Sequence, residues 1–207
     1  MNKGKIVIIS GPSGAGKSTV LRSILAGGNY FFSVSATTRG PREGEVPGVS
    51  YHYITSQAFR DLIAQDALLE YNHYASGDYY GTPAAPIRET LEKGGTAILD
   101  VEPNGAFQIL KKYPNATTVF LAPPSMAELR ARLESRADHT MTPEKLEKRL
   151  AQARWEIRQA CHYTYLVVND VVEDCVARLE AILAGSPEAE ACRYENNTHV
   201  NILKEVL

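Results

Sequence analysis

The chain opens with a strand, a loop and a helix in a combination that leaves little freedom of fold. "KIVIIS", residues 5 to 10, is a short apolar run rich in β-branched residues. "GPSGAGKST", residues 11 to 19, follows at once, and "VLRSIL" then begins a helical pattern. A strand without a polar face is one buried on both sides, as in a parallel sheet. The loop has three glycines, one lysine and no bulky side chain, so it is not core.

Three more runs resemble the first: Ala97–Val101, Thr117–Leu121 and Tyr165–Asn169. Helical patterns separate them. Pro83–Lys93 carries Ile87 and Leu91 four apart, and Ser125–Arg136 starts on the capping-box sequence "SMAE". Thr142 before Pro143 reads as an N-cap followed by proline at the first helical position. In that helix Leu146, Leu150, Ala153 and Ile157 form one apolar stripe. Strands alternating with helices predict an α/β fold, a doubly wound parallel sheet flanked by helices.

Composition bounds the function. The 207 residues are 44% hydrophobic and 22% charged, ordinary for a globular chain, and suit one domain with an inserted lobe. The net charge of −2 lacks the basic excess of a nucleic-acid or membrane-surface binder. Cys161, Cys175 and Cys192 have neither disulfide-framework nor zinc spacing. No signal peptide or membrane-length run is visible, so the expected location is the cytoplasm. The sequons at Asn115 and Asn196 then carry no meaning.

Gly11, Gly16, Lys17 and Ser18 satisfy the phosphate-binding pattern Gly-x4-Gly-Lys-Ser, with Pro12, Ser13, Gly14, Ala15 and Thr19 completing the loop. Glycines let backbone N–H groups turn inward around a phosphate, and the following helix N-terminus adds positive potential. Lys17 is expected on the β- and γ-phosphates, and the Ser18 hydroxyl on Mg²⁺. Asp100, ending the run "TAILD", is the candidate for the metal's water shell. Glu102 points the same way if that strand continues. The expected ligand is a nucleoside triphosphate with Mg²⁺ as cofactor.

Residues 33 to 82 decide what receives the phosphoryl group. They are rich in Tyr, Arg, Gly, Ser and Thr and read as a partly antiparallel lobe. Arg39 and Arg42 lie three apart with no matching acids on each side, which suits a phosphate dianion. Tyr51 and Tyr80 add phenolic donors. A phosphomonoester is already nucleophilic near neutrality, so no general base is required.

The motifs "GPSGAGKST", "SATTRGPREGE", "YGTP", "ILDVEPNGA", "LAPPSMAELRARL" and "LVVND" occur in an order and spacing that resembles the guanylate kinases, over residues 4 to 184. The resemblance implies transfer of the ATP γ-phosphoryl to GMP, and to dGMP. It implies Arg39, Arg42, Tyr51 and Tyr80 on the GMP phosphate, with Ser35, Glu70, Thr82 and Glu102 reading guanine. The chemistry agrees: a carboxylate accepts from guanine N1–H and N2–H, and a hydroxyl donates to O6. Adenine would leave that carboxylate unpaired. The resemblance also implies Arg132, Arg136 and Arg149 as lid arginines and Asn169 near the adenine. Lys17, Arg39, Arg136 and Arg149 are the residues expected to stabilise the transferring group.

The expected division is a core at 1–32, 83–125 and 159–184, a GMP lobe at 33–82, a lid at 126–158 and a tail at 185–207. Partners are the small molecules ATP and GMP, with no nucleic acid and no membrane, and a homo-oligomer is left open. Two other readings are weighed. A guanylate-kinase-like interaction module would have lost the P-loop and lid residues that this chain keeps. A sugar-phosphate kinase would need no guanine reader at Ser35, Glu70 and Thr82. Departures from the family pattern are Glu102 for Asp, Ala137 for Gly, Thr164 for Asp and Val171 for an acid.

Overall fold

The computed structural model describes residues 4–28, 30–74, 76–135 and 142–207. Lys5–Ser10 forms strand β1, and all but its first residue are buried. A five-stranded sheet runs in the order β2-β7-β1-β8-β9, where β2 is Tyr30–Phe32, β7 Thr96–Asp100, β8 Thr117–Ala122 and β9 Tyr165–Val168. β2 pairs with β7, and β8 with β9, both in parallel. The apolar runs read from the sequence are thus four of these strands, with ends shifted by a residue at most. β2 escaped notice because three half-buried aromatic residues are too short a run to show a period.

The chain falls into two compact units, Met1–Ile8 with Asn29–Thr117, and Ile9–Gly28 with Thr118–Leu207. In the first, a four-stranded sheet has the order β4-β3-β6-β5. Its strands are β3 Ala36–Thr37, β4 His52–Tyr53, β5 Leu68–His73 and β6 Tyr79–Pro83. β6 pairs antiparallel with β3 and with β5, while β3 and β4 are parallel. Helix α2, Ser56–Ala64, starts where Thr55 Oγ1 accepts from Ala58 N, and it buries Phe59 in the lobe's own small core with Ala36 and Leu68. Helix α3 is Ala84–Glu92 and helix α4 is Pro103–Lys112. α4 shields the free edge of β5. The Gln108 carboxamide accepts from Tyr71 N at 3.2 Å and donates to Tyr71 O at 2.9 Å, taking the place of a further strand.

In the second unit helix α1, Lys17–Gly27, follows the glycine loop. Helix α5, Met126–Ser135, starts where Ser125 Oγ accepts from Glu128 N at 3.0 Å, half of the predicted capping box. The Glu128 carboxylate instead accepts from Arg132 Nε at 2.8 Å. Helix α6, Pro143–Arg158, buries Leu146, Leu150, Ala153 and Ile157 as the stripe predicts. Helix α7, Val172–Ala184, ends on Gly185 in the left-handed region.

The sequence does not decide between helix and disorder for the tail. It folds into two short 3-10 turns and helix α8, Asn201–Val206, whose Ile202, Leu203 and Val206 are buried. Glu205 Oε2 accepts from Met126 N at 2.7 Å, and Val206 O accepts from Arg158 Nε at 2.7 Å. The tail therefore fastens the start of α5 to the end of α6.

Candidate active site

The glycine loop owes its path to one close approach. Gly16, the residue before α1, has φ +90°, and a Cβ there would come 2.2 Å from Asn169 Nδ2. That same Nδ2 donates to Ala15 O at 2.8 Å. Asn169 is 3% exposed and sits beyond the end of β9, where its backbone N–H donates to Ala122 O. A buried carboxamide thus pins the loop from below, and only glycine leaves room for it. Asn169 Oδ1 is buried without a hydrogen-bond partner among the described residues.

Lys17 Nζ donates to Gly11 O at 2.5 Å, so the ammonium folds back over the loop. Ser18 and Thr19 are exposed in the first turn of α1, which carries no acidic residue to offset its positive end. Arg132 lies against the site's rim, with its terminal nitrogen donating to Asn169 O at 3.1 Å. Arg149 is exposed on α6. Arg136 and Ala137 lie outside the described residues.

The other unit holds the polar lobe. Arg39 reads from the sequence as a fork without a matching acid, and the fold corrects this with Glu45, six residues on in the same motif. Its guanidinium makes a two-pronged ion pair with Glu45, 2.6 Å on each side. Arg39 Nε donates to the Tyr80 hydroxyl at 2.8 Å, and the Arg39 head lies over the rings of Tyr51, Tyr53 and Tyr80. Glu45 also accepts from Arg42 N and from the Tyr53 hydroxyl. These donors, Arg39 first, hold the Glu45 carboxyl down at about 2. The Arg42 side chain is exposed, with no ion pair among the described residues.

Glu70 lies in the middle of β5 and is 5% exposed. Its Oε1 accepts from the Thr82 hydroxyl at 2.7 Å, and its Oε2 accepts from Asn72 Nδ2 at 3.3 Å. α4 closes over the carboxylate at Gly105, where a Cβ would come 2.7 Å from Oε2. Burial pushes the Glu70 carboxyl up to about 7, against the Thr82 hydrogen bond that lowers it and with the Glu102 charge that raises it. The condition set for Glu102 is not met, because β7 ends at Asp100. Glu102 instead precedes α4 as its N-cap residue, without a side-chain cap hydrogen bond, and burial first and then Glu102 raise the pKa of the Tyr74 phenol. Ser35 is half-buried beside β3.

One face of this lobe therefore holds two poles. Arg39, Tyr51 and Tyr80 form a cationic, phenolic end; Glu70 and Thr82 form a buried carboxylate end. Sequence reasoning missed Glu45, Tyr53, Asn72 and Tyr74. The alternation Glu70, Asn72, Tyr74 is a period-2 signal that places the first two on one strand face, with Tyr74 just past the strand's end. Glu45, six residues from Arg39 in a loop, gives no periodic signal at all.

The family model described as guanylate kinase matches residues 3–186. A guanylate kinase of Thermus thermophilus is 45% identical over 181 residues, covering 87% of this chain and 81% of that protein. That of Clostridium tetani is 43% identical over 195 residues, covering 94% and 90%. The crystal structure of guanylate kinase from Anaplasma phagocytophilum superposes with a TM-score of 0.74 at 29% identity, covering all of this chain and 95% of that one. A match that spans nearly the whole length, and includes both the glycine loop and the polar lobe, shows that the chain belongs to the guanylate kinase family.

Proposed function

We propose that this chain transfers the γ-phosphoryl group of ATP to the phosphate of GMP, yielding ADP and GDP, and accepts dGMP as well. The observation that carries the acceptor's identity is the buried Glu70 carboxylate, whose two oxygens are separately held in a lobe that also presents a cationic end. Guanine offers two adjacent N–H donors to such a group; adenine, lacking the N1 proton, would strand a buried charge. Thr82 or Ser35 donates to O6, and Glu102 completes the base contacts. Arg39, Arg42, Tyr51 and Tyr80 hold the GMP phosphate.

The triphosphate is the ligand of Gly11 to Thr19, with Lys17 leaving the Gly11 carbonyl to meet the β- and γ-phosphates. Arg132, Arg136 and Arg149 neutralise charge on the transferring group, and Asn169 serves the adenine side as well as pinning the loop. Mg²⁺ fits as a cation carried in on the nucleotide. The Ser18 hydroxyl is exposed at the N-terminus of α1. No cluster of three metal-ligating side chains occurs among the described residues. Ser18 is assigned to the ion directly and Asp100 through water; when bound, it neutralises phosphate charge. The acceptor phosphate needs no base, so positioning and charge neutralisation carry the rate.

The functional division follows: a core at 1–32, 83–125 and 159–184, the acceptor lobe at 33–82, the lid at 126–158 and the tail at 185–207. No helix among the described residues is long and apolar enough to cross a membrane, and we assign the activity to the cytoplasm. ADP release from Mg·ATP, measured with GMP, dGMP, AMP, CMP, UMP and dTMP in turn, tests the reading. Turnover confined to the two guanine nucleotides is expected; equal turnover with AMP would sink the role of Glu70.

A further inference from the structure

Asn72 belongs to neither the phosphate end nor the base end as read from the sequence, yet it lies between them. It follows Glu70 by two residues on β5 and is paired in register with Tyr80 on β6. Side chains two apart on a strand share a face. Glu70 and Asn72 line the same face as Tyr80 and Thr82, as their side-chain hydrogen bonds show, and Tyr74 follows just past the end of β5. The ring of Tyr74 meets that of Tyr80 edge-on, 5.2 Å between centroids, which closes the row at the phosphate end.

The two oxygens of Glu70 are not equivalent. Oε1 belongs to the Thr82 hydroxyl, and Oε2 belongs to the Asn72 carboxamide. Along the guanine edge the order of groups is O6, N1–H and the exocyclic N2–H. With Thr82 taken as the donor to O6, its one proton turning from Oε1 to the base, Thr82 marks that end and Oε1 beside it lies opposite N1–H. Oε2, away from Thr82, is left opposite the exocyclic amine. Gly105 leaves no slack behind Oε2. A carboxylate oxygen held by a fixed amide donor keeps the direction of its remaining lone pair.

We propose that Asn72 is a positioning residue for guanine specificity: its carboxamide orients Glu70 Oε2 toward the exocyclic amine that distinguishes guanine from hypoxanthine. Asn72 acts through Glu70, and the inference rests on the proposed guanine-reading role of Glu70. It adds a discrimination within the 6-oxopurines, which the O6 and N1–H contacts alone do not supply.

The test is calorimetric titration of GMP and IMP into the full chain and into its Asn72→Ala, Asn72→Asp and Glu70→Gln variants. IMP keeps O6 and N1–H but lacks the exocyclic amine. Asn72→Ala should weaken GMP binding about tenfold, as expected for one hydrogen bond to a charged group, and IMP binding less than about twofold. Asn72→Asp keeps the shape and loses the donor, so it should narrow the GMP-over-IMP preference at least as much. Equal weakening of both nucleotides, or an Asn72→Asp variant that behaves as wild type, would overturn the inference by reducing Asn72 to a space filler. Glu70→Gln separates the two levels. If it leaves the preference intact, the reading of Glu70 fails; if it removes the preference while both Asn72 variants keep it, only the role of Asn72 fails.

Discussion

Arg39 and Glu45 face each other through two 2.6 Å hydrogen bonds, so the arginine proposed to grip a phosphate already has a carboxylate in its fork. With Tyr80 on Nε and Gly40 O on one terminal nitrogen, four of its five N–H groups are engaged. Glu45 therefore aims Arg39 rather than leaving it free. Replacing Glu45 with Gln should raise the KM for GMP on the order of tenfold, with the KM for ATP unchanged. Steady-state kinetics with each substrate varied in turn would check this, and a fall in KM for GMP would show Glu45 to be a competitor instead.

Lys17→Ala should cut kcat by a hundredfold or more, roughly, because it removes the cation nearest the transferring group. Its ammonium is part-buried and bonds back to the loop's own Gly11 carbonyl, so circular dichroism and the melting temperature should barely change. Large loss of both activity and stability would place the lysine in the fold rather than in the chemistry.

Glu70 predicts two opposite pH dependences. Its carboxyl is raised to about 7 in the folded chain, above the unfolded value of about 4.3. The folded state thus holds a proton that the unfolded state has lost. Stability from this group is present below about pH 4.3 and is lost as pH rises through 7, by an amount on the order of a few kcal/mol. GMP binding needs the carboxylate and should strengthen over the same range. Thermal melts and GMP titrations from about pH 5 to 8 measure both. Glu70→Gln should flatten the stability slope and leave only the titration of the GMP phosphate itself.

Gly105→Ala should impair GMP use far more than ATP binding. The new Cβ would meet Glu70 Oε2 at 2.7 Å, and Thr82 and Asn72 restrain that carboxylate from moving aside. A KM for GMP raised about tenfold, with a melting temperature near wild type, is expected.

The tail should prove structural for the second unit. Glu205→Ala removes the carboxylate that accepts from Met126 N at the start of α5, and should cost about 1 kcal/mol. Leu203→Ala, at a residue 1% exposed, should cost about 2–5 kcal/mol. Denaturant titration measures both; no change in either would mean that α8 adds no stability.

The sequence by itself determined the alternating fold and the phosphate loop, because both are written in local order. A run of β-branched residues such as Lys5–Ser10 signals a doubly buried strand, and Gly16-Lys17-Ser18 needs neighbours only a few residues away. The motifs of residues 33 to 82 likewise point to Arg39 and Glu70. What only the tertiary structure decided is how those groups are held. Glu45 reaches Arg39 through a loop, Gly105 closes on strand residue Glu70 from helix α4, and Asn169 pins a glycine loop more than 150 positions earlier in the chain. Glu102 is a helix cap rather than a strand continuation because β7 ends at Asp100. Such partners carry no period and no fixed spacing. They meet because burying apolar faces brings distant segments together, and a buried polar group must then be satisfied by whatever neighbour that packing supplies.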